Sequence, residues 1–338
     1  MATARSCSQP ANVRRCGSFA RAPGSSIPSA RSAPQPKAGS SSTWGIGTTI
    51  GRGRRAPAAR QSAPLRNSRG SDRRGADREI ELASDDALDE QIDQVREWLT
   101  ASRSVVALTG AGISTDSGIP DFRGPQGLWT KDPDAEKMAT LQVYVADPEV
   151  RKRSWRWRLE TEEQKRLPNA GHRALAELED RGCLDTLVTQ NVDGLHQAAG
   201  SDPHRIVEIH GTLQEVECLG CGERAPMSRA LDRVIAGEED PPCRSCGGLL
   251  KSATISFGQG LVASDLERAQ CAAESCDLLL AIGTTLAVYP IAGMVPIAKE
   301  AGARIVILNG GATEMDPVAD ALLHGSISEI LPRLIPTD

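Results

Sequence analysis

The chain has no run of about 18 apolar residues, so no membrane-spanning helix is expected, nor is a secretory apolar core expected near its start. It has no internal repeat. Acidic residues are missing from the first 70 positions, which hold eleven Arg and one Lys. Against chain totals of 39 basic and 44 acidic residues, the other 268 residues carry 27 and 44, a net charge of −17 where the whole chain stands at −5. A body this acidic is a poor general ligand for nucleic acid, because duplex affinity rests on neutralising phosphates. The leading segment is rich in Arg, Ser, Ala, Pro and Gly and has no apolar period, so it cannot bury enough surface to offset its ordering entropy. Residues 1–81 are therefore expected to be a disordered basic segment: a transit peptide, an interaction tail, or translation from upstream of the true start. The compartment expected is cytoplasmic, or mitochondrial or plastid if that segment is a transit peptide.

What remains is long enough for one large α/β domain with a small insert. Leu88, Ile92, Val95 and Leu99 recur at helical spacing and predict a helix over 86–100. Apolar runs predict strands over 105–108, 184–189, 206–209, 277–282 and 304–308. Asn169 can cap a helix over 170–180 that Gly182 stops, and another helix is expected after Pro290. Strands alternating with helices make a mostly parallel, doubly wound sheet. Ligands in such sheets lie beyond the carboxyl ends of the strands, where Gly110, Gln190, Gly283 and Asn309 fall. Residues 125–168, with Trp129, Trp155 and Trp157 among charges, read as loops and helices.

Five of the nine cysteines, at 7, 16, 183, 271 and 276, show no regular spacing. The other four form two C-x-x-C pairs, Cys218/Cys221 and Cys243/Cys246, separated by 21 residues. That is the ligand count of a tetrahedral zinc ribbon, a redox dithiol being the rival reading. Four thiolates fill the shell and leave no place for an activated water, so one structural Zn2+ is expected within a module over 212–256.

Gly110-Ala111-Gly112 follows the first strand, as a phosphate-binding turn would, although Thr115 stands where a dinucleotide fingerprint would carry its third small residue. Taken alone it could be an ordinary tight turn. His210, at a strand end before Gly211, could be a hydrogen-bonded structural residue or a base, and Asn191 and Asp193 could merely cap the turn after their strand.

The uninterrupted run from Gly110-Ala111-Gly112-Ile113-Ser114 through Gly118-Ile119-Pro120-Asp121-Phe122-Arg123 resembles the sirtuin family of NAD-dependent protein deacylases. Thr189-Gln190-Asn191-Val192-Asp193-Gly194-Leu195-His196, Ile209-His210-Gly211, the two cysteine pairs and Gly283-Thr284-Thr285 follow in the family's order. The resemblance covers residues 82–334. It implies a Rossmann-like NAD domain, with 125–168 as cofactor loop and helical module, and NAD consumed as a co-substrate. It implies that Gly110, Ala111, Gly112 and Ser114 hold the dinucleotide, that Asp121 holds the nicotinamide carboxamide, that Phe122 shields the reacting ribose carbon, and that Arg123 lies near the phosphates. Gln190, Asn191 and Asp193 would line the nicotinamide-ribose pocket and His210 would be the general base. Gly283, Thr284 and Thr285 would meet phosphate or ribose, Asn309 and Gly310 the adenosine ribose, and Ile327 the adenine. By the same resemblance an acyl-lysine carbonyl attacks the anomeric carbon, expels nicotinamide and forms an alkylamidate. A ribose hydroxyl deprotonated by His210 then attacks it.

Residues 255–259, with Phe257 and Gly258, resemble the family's strand that binds the peptide by its edge, with Gln259 in place of the usual Glu. Trp155 and Arg158 have the spacing of a Tyr and Arg pair that binds acidic acyl chains. The tryptophan lacks the hydroxyl and Arg158 is flanked by charges, so a solvated helix face and acetyl as the acyl group are expected. The partners are acyl-lysine proteins and the chain is read as a monomer. The competing functions are mono-ADP-ribosyl transfer from the same pocket and a non-catalytic, NAD-sensing zinc-ribbon regulator.

Overall fold

The structure, a computed structural model, describes residues 73–335 except 123, 125, 126 and 133, with side chains from residue 86 onward. Most of the expected basic segment and the phosphate role expected of Arg123 lie outside the described residues.

Nine strands are present among these residues: β1 Val105–Thr109, β2 Thr186–Thr189, β3 Ile206–Glu208, β4 Gly211–Cys218, β5 Arg224–Pro226, β6 Leu250–Thr254, β7 Leu278–Ile282, β8 Arg304–Asn309 and β9 Ala321–His324. Six form one all-parallel sheet in the order β3-β2-β1-β7-β8-β9. The chain winds outward from β1 in one direction and, from β7, in the other. The order thus reverses between β1 and β7, and the crevice beyond their carboxyl ends is where such a sheet takes its ligand.

Both faces are covered, which explains the unbroken apolar runs. Val105 and Ala107 of β1, Leu278, Leu280 and Ile282 of β7, and Val306 and Leu308 of β8 enter one core cluster. Their alternates, Val106 and Leu108, Leu279 and Ala281, Ile305 and Ile307, enter the other. The first face is packed by α1 Arg73–Ala101 through Ile92, Val95 and Leu99, and by the later helix over 170–180 through Leu175 and Leu178. α1 begins at Arg73 rather than Asp86, because Arg, Glu, Ala and Leu upstream are good helix formers and no proline interrupts them.

Between β1 and β2 come α2 Leu128–Lys131, α3 Ala135–Met138, α4 Leu141–Ala146, α5 Pro148–Glu163 and α6 Ala170–Asp180. Asp147 accepts from Glu149 N at 2.9 Å and Pro148 takes the first turn, so α5 starts with both a cap and a preset φ. Asn169 caps α6 as expected, and His172 answers it from three residues on to complete a capping box. α7 Leu195–Ala199 follows β2, and α8 Met227–Ile235 lies in the zinc module. α9 Ala263–Ser275 and α10 Met294–Glu300 cover the second face through Ala269, Ala273, Val295 and Ala298, and α11 Ile327–Arg333 closes the first.

The antiparallel sheet β5-β4-β6 carries a small core of its own, in which Trp155 of α5 packs on Val216, Met227, Leu231 and Leu250. Arg151, buried on the same helix, donates to Asp240 at 2.8 Å and to the carbonyls of Tyr144 and Val145. α5 thereby ties the helical segment to the zinc module.

Gly110, Gly112 and Gly283 are required for a reason the motif does not reveal. A Cβ on Gly112 would lie 2.7 Å from Gly283 Cα, and one on Gly110 2.7 Å from Thr284 Cβ. A Cβ on Gly283 would lie 2.5 Å from the Ile113 nitrogen, in a residue whose φ is +61°. The turns after β1 and β7 pack backbone on backbone. Gly283→Ala is expected to cost about 1–3 kcal/mol from backbone strain alone, read as a lower urea midpoint at unchanged slope.

Candidate active site and zinc module

A cavity of 1930 Å³ opens at the reversal point and runs between the parallel sheet and the zinc module. Gly110, Ala111, Gly112, Ser114, Asp121, Phe122, Gln190, Asn191, Asp193, His210, Phe257, Gly258, Gly283, Thr284, Thr285, Asn309, Gly310, Ile327 and Arg158 all line it. The residues expected to form a site, from eight separate stretches of chain, therefore line one cavity.

The segment after Gly110 is a 3₁₀ helix, Ala111–Ser117, rather than the α-helix start that a phosphate turn would use. The glycine N–H groups are spent inside the protein: Gly110 donates to Ile282 O at 3.0 Å and Gly112 to Gly283 O at 2.8 Å. Gln190 Nε2 donates to Thr284 Oγ1 at 2.9 Å, which also accepts from Leu286 N, so Thr284 organises the pocket floor while Thr285 is exposed. Asp121 Oδ1 accepts from Gly124 N, and Asn309 Nδ2 donates to Gly311 O. Ile327 is buried with its Cδ1 beside Gly283.

Behind these lies a buried polar network. Ser114 Oγ donates to Asp193 Oδ2 at 2.8 Å and accepts from Asn191 Nδ2 at 3.2 Å, whose amide also reaches Gly110 O. His172 Nε2 lies 3.4 Å from Ser114 Oγ, and the rings of His172 and His196 stand 4.9 Å apart. Motif reading assigned nothing to His172. Its signal was positional, since it completes the cap of α6 and so enters the network from a helix start. Burial pulls His172 down to about 4 against the opposing pull of Asp193, and burial with His172 nearby pulls His196 down to about 3. His210 Nδ1 stands 3.0 Å from Gln190 O. A carbonyl only accepts, so Nδ1 carries the proton and Nε2 keeps its lone pair. Burial also lowers the His210 pKa, with the Gln190 bond opposing it.

At the other end, Phe122, Trp129 and Phe257 form an aromatic row with ring centroids 4.9 and 5.3 Å apart. The expected strand over 255–259 reduces to a single bridge at Phe257. Its N–H donates to Ala139 O and its carbonyl accepts from Leu141 N, so one edge is already paired, and Gly258 at φ +85° turns the chain away. Arg158 is not a solvated helix residue. It is half-buried, lies over the Trp157 ring at 4.7 Å, donates to Ser252 Oγ at 3.2 Å, and has a buried Nε with no partner. Trp155, one percent exposed, belongs to the core and not to the wall. Lys251, three percent exposed, also lines the cavity, its Nζ held by the carbonyls of Ser252 and Thr254. Neither cation has a carboxylate within 4.0 Å among the described residues.

In the zinc module the sulfurs of Cys218, Cys221, Cys243 and Cys246 all lie within 4.8 Å of one another, with Cys218–Cys246 at 3.5 Å and Cys221–Cys243 at 3.8 Å. A tetrahedron with Zn–S bonds of about 2.3 Å has edges near 3.8 Å. The set therefore suits one zinc ion, held as structure by four thiolates. Gly220 N and Gly248 N donate to the sulfurs of Cys218 and Cys246, as knuckle turns do.

Two outcomes follow. Cys243→Ser is expected to lose the zinc, measured as metal per chain, and to lower the melting temperature. The depressed histidines set the acid limb of stability: the unfolded chain takes up their protons near pH ~6.5, whereas folded His172 and His196 wait until about 4 and 3. Stability should therefore be full above pH ~6.5 and fall as pH drops below it toward 3, read as a declining urea midpoint.

Comparison with known proteins identifies the family. The sequence model of the Sir2 family matches residues 110–290. The chain is 48% identical over 237 residues to NAD-dependent protein deacetylase 2 of Streptomyces coelicolor, covering 70% of this chain and 98% of that protein. It is 43% identical over 242 residues to NAD-dependent protein deacylase 2 of Pyrobaculum aerophilum, covering 71% and 93%. A solved Sir2 enzyme superposes with a TM-score of 0.65 at 38% identity over 73% of this chain and 96% of its own. A Sir2 bound to acetylated peptide does so with 0.64 at 30% identity over 72% and 96%. On the match to the family model and on this identity over nearly the whole length of its relatives, the chain belongs to the Sir2 family.

Proposed function

We propose that the chain is an NAD-dependent protein-lysine deacylase that converts acyl-lysine, acetyl-lysine in the first place, to free lysine with release of nicotinamide and an O-acyl-ADP-ribose. The observation that carries this reading is His210, whose Nδ1 proton is committed to the Gln190 carbonyl while Nε2 stays unprotonated on the wall shared with Asn191 and Asp193. Its relatives' names, NAD-dependent protein deacetylase and deacylase, support it.

NAD, when bound, supplies an anomeric carbon from which nicotinamide leaves. The cavity is large enough for a dinucleotide and an extended acyl-lysine together, and its polar groups are grouped as those two ligands need. Gly110, Ala111, Gly112, Thr285, Asn309, Gly310 and Ile327 line the dinucleotide's part, with Gly283 and Thr284 shaping its floor. Asp121 accepts from the carboxamide, and Phe122 covers the reacting carbon from water. Ser114 pins Asp193 and Asn191, which with Gln190 orient the ribose hydroxyls. His210 Nε2, neutral at neutral pH because burial lowers its pKa, accepts the proton from the hydroxyl that captures the acyl carbon. The aromatic row of Phe122, Trp129 and Phe257 encloses the apolar stem of the acyl-lysine, and the free edge beside Gly258 pairs with the peptide.

A second reading concerns the acyl chain. Arg158, which lines the cavity and has a buried Nε without a partner, favours acceptance of chains that end in a carboxylate, which guanidinium binds bidentately.

The full-length chain incubated with NAD and matched acetyl- and succinyl-lysine peptides, followed by peptide mass and nicotinamide release, tests both. Deacylation stoichiometric with nicotinamide and lost by 10²-fold or more in His210→Ala is expected, the scale of a general base. Arg158→Ala should lower kcat/KM on the succinyl peptide and spare the acetyl one. Mass gain of ADP-ribose on protein, with no peptide deacylated, would turn the reading to mono-ADP-ribosyl transfer. NAD binding without turnover would turn it to a sensor.

A further inference from the structure

His196 takes no part in that chemistry, yet it is one percent exposed and its environment is selective. Its Nε2 stands 3.0 Å from Thr109 Oγ1. Thr109 has one hydroxyl proton and gives it to Thr189 Oγ1 at 2.9 Å, so it can only accept from the ring. His196 is therefore protonated at Nε2. Its buried Nδ1, which has no partner, is the lone-pair nitrogen that this tautomer leaves. Burial keeps the ring neutral, so the choice is between two tautomers and the threonine pair makes it.

The chain of bonds continues toward the site. Thr189 Oγ1 accepts from Asn191 N–H at 3.1 Å. That N–H belongs to the peptide group whose other end is the Gln190 carbonyl, the acceptor for His210 Nδ1 at 3.0 Å. A peptide group is planar and trans, so N–H and C=O swing together about its flanking bonds. Fixing the N–H fixes where the carbonyl points. The two threonines are the last residues of adjacent parallel strands, in register with each other, which makes their hydroxyl contact a product of the sheet. β-branching restricts their side chains to few rotamers, and the hydrogen bonds select among those.

We propose that His196 and Thr109 are positioning residues that hold His210 in the tautomer with Nε2 unprotonated, acting through Thr189 and the Gln190–Asn191 peptide group. The functional consequence rests on the reading of His210 as general base. The positional claim does not.

The variant that isolates the relay is Thr109→Val, which keeps the shape of the side chain and removes the hydroxyl, against Thr109→Ser, which keeps the hydroxyl. Ring-nitrogen NMR of the full-length chain labelled in histidine, with the His210 signals assigned by their loss in His210→Ala, reads the tautomer directly. In the parent, His210 is expected as Nδ1–H alone. In T109V a mixture of tautomers should appear, with kcat down by ten- to a hundred-fold, the range for partners that orient a reacting group indirectly, and KM values near the parent's. T109S should restore both. Thr189→Val, which removes the acceptor for Asn191 N–H, should reproduce T109V and stands in for it if T109V fails to fold. A His210 tautomer unchanged in both valine variants, or lost equally in T109S, overturns the proposal. If the parent shows no deacylation, the reading of His210 as base fails, and the tautomer in T109V still decides whether the relay exists.

Discussion

The close packing of two turns decides most of what lies above the sheet. After β1 and after β7 the chain meets itself with no side chain between, Gly112 donating to Gly283 O at 2.8 Å and Gly283 accepting no Cβ without striking Ile113. This contact lies at the reversal of strand order, the one place in an open parallel sheet where neighbouring connections leave to opposite faces and open a crevice. Bringing the two turns together brings Ser114 of one strand's exit within reach of Asp193 and Asn191 from another's, and sets Thr284 under Gln190. The polar network thus rests on backbone contact as well as on side-chain bonding.

Much of this was legible in the chain, and for identifiable reasons. Parallel strands buried on both faces read as unbroken apolar runs, so β1, β2, β3, β7 and β8 stood out, as did α6 between its asparagine cap and Gly182. Paired cysteines declare their geometry by spacing, because a four-thiolate site needs tight turns and little else. β9 was not visible, since Ala321–His324 is short and edge-placed. Neither was the pairing inside the zinc module, where strand register follows from metal and local turns more than from pattern.

The site was less legible than the fold in one specific respect. Motif glycines suggested room for a phosphate, but their missing Cβ atoms serve the turn-on-turn contact, and their N–H groups are used there. Arg158 looked solvated because its sequence neighbours are charged, whereas a helix places adjacent residues about 100° apart and the ridge it occupies faces the cavity. Thr109 lay outside every motif and Thr189 only opened one without a role of its own, because their importance depends on register between two strands 80 residues apart.

That dependence suggests why so many polar side chains lie buried behind the cavity. Buried hydroxyls and imidazoles cost free energy unless each finds a partner, and a half-satisfied network is worse than an apolar core. Here the expenditure produces directed hydrogen bonds: the Ser114 hydroxyl donating to Asp193, the Gln190 carbonyl accepting from His210 Nδ1, and, as a result, His210 Nε2 left bare. Apolar packing could fill the same volume with more stability, but could not specify which ring nitrogen holds a proton. The folded protein gives up acid stability for that choice, since His172 and His196 must stay neutral in a site that penalises their charge.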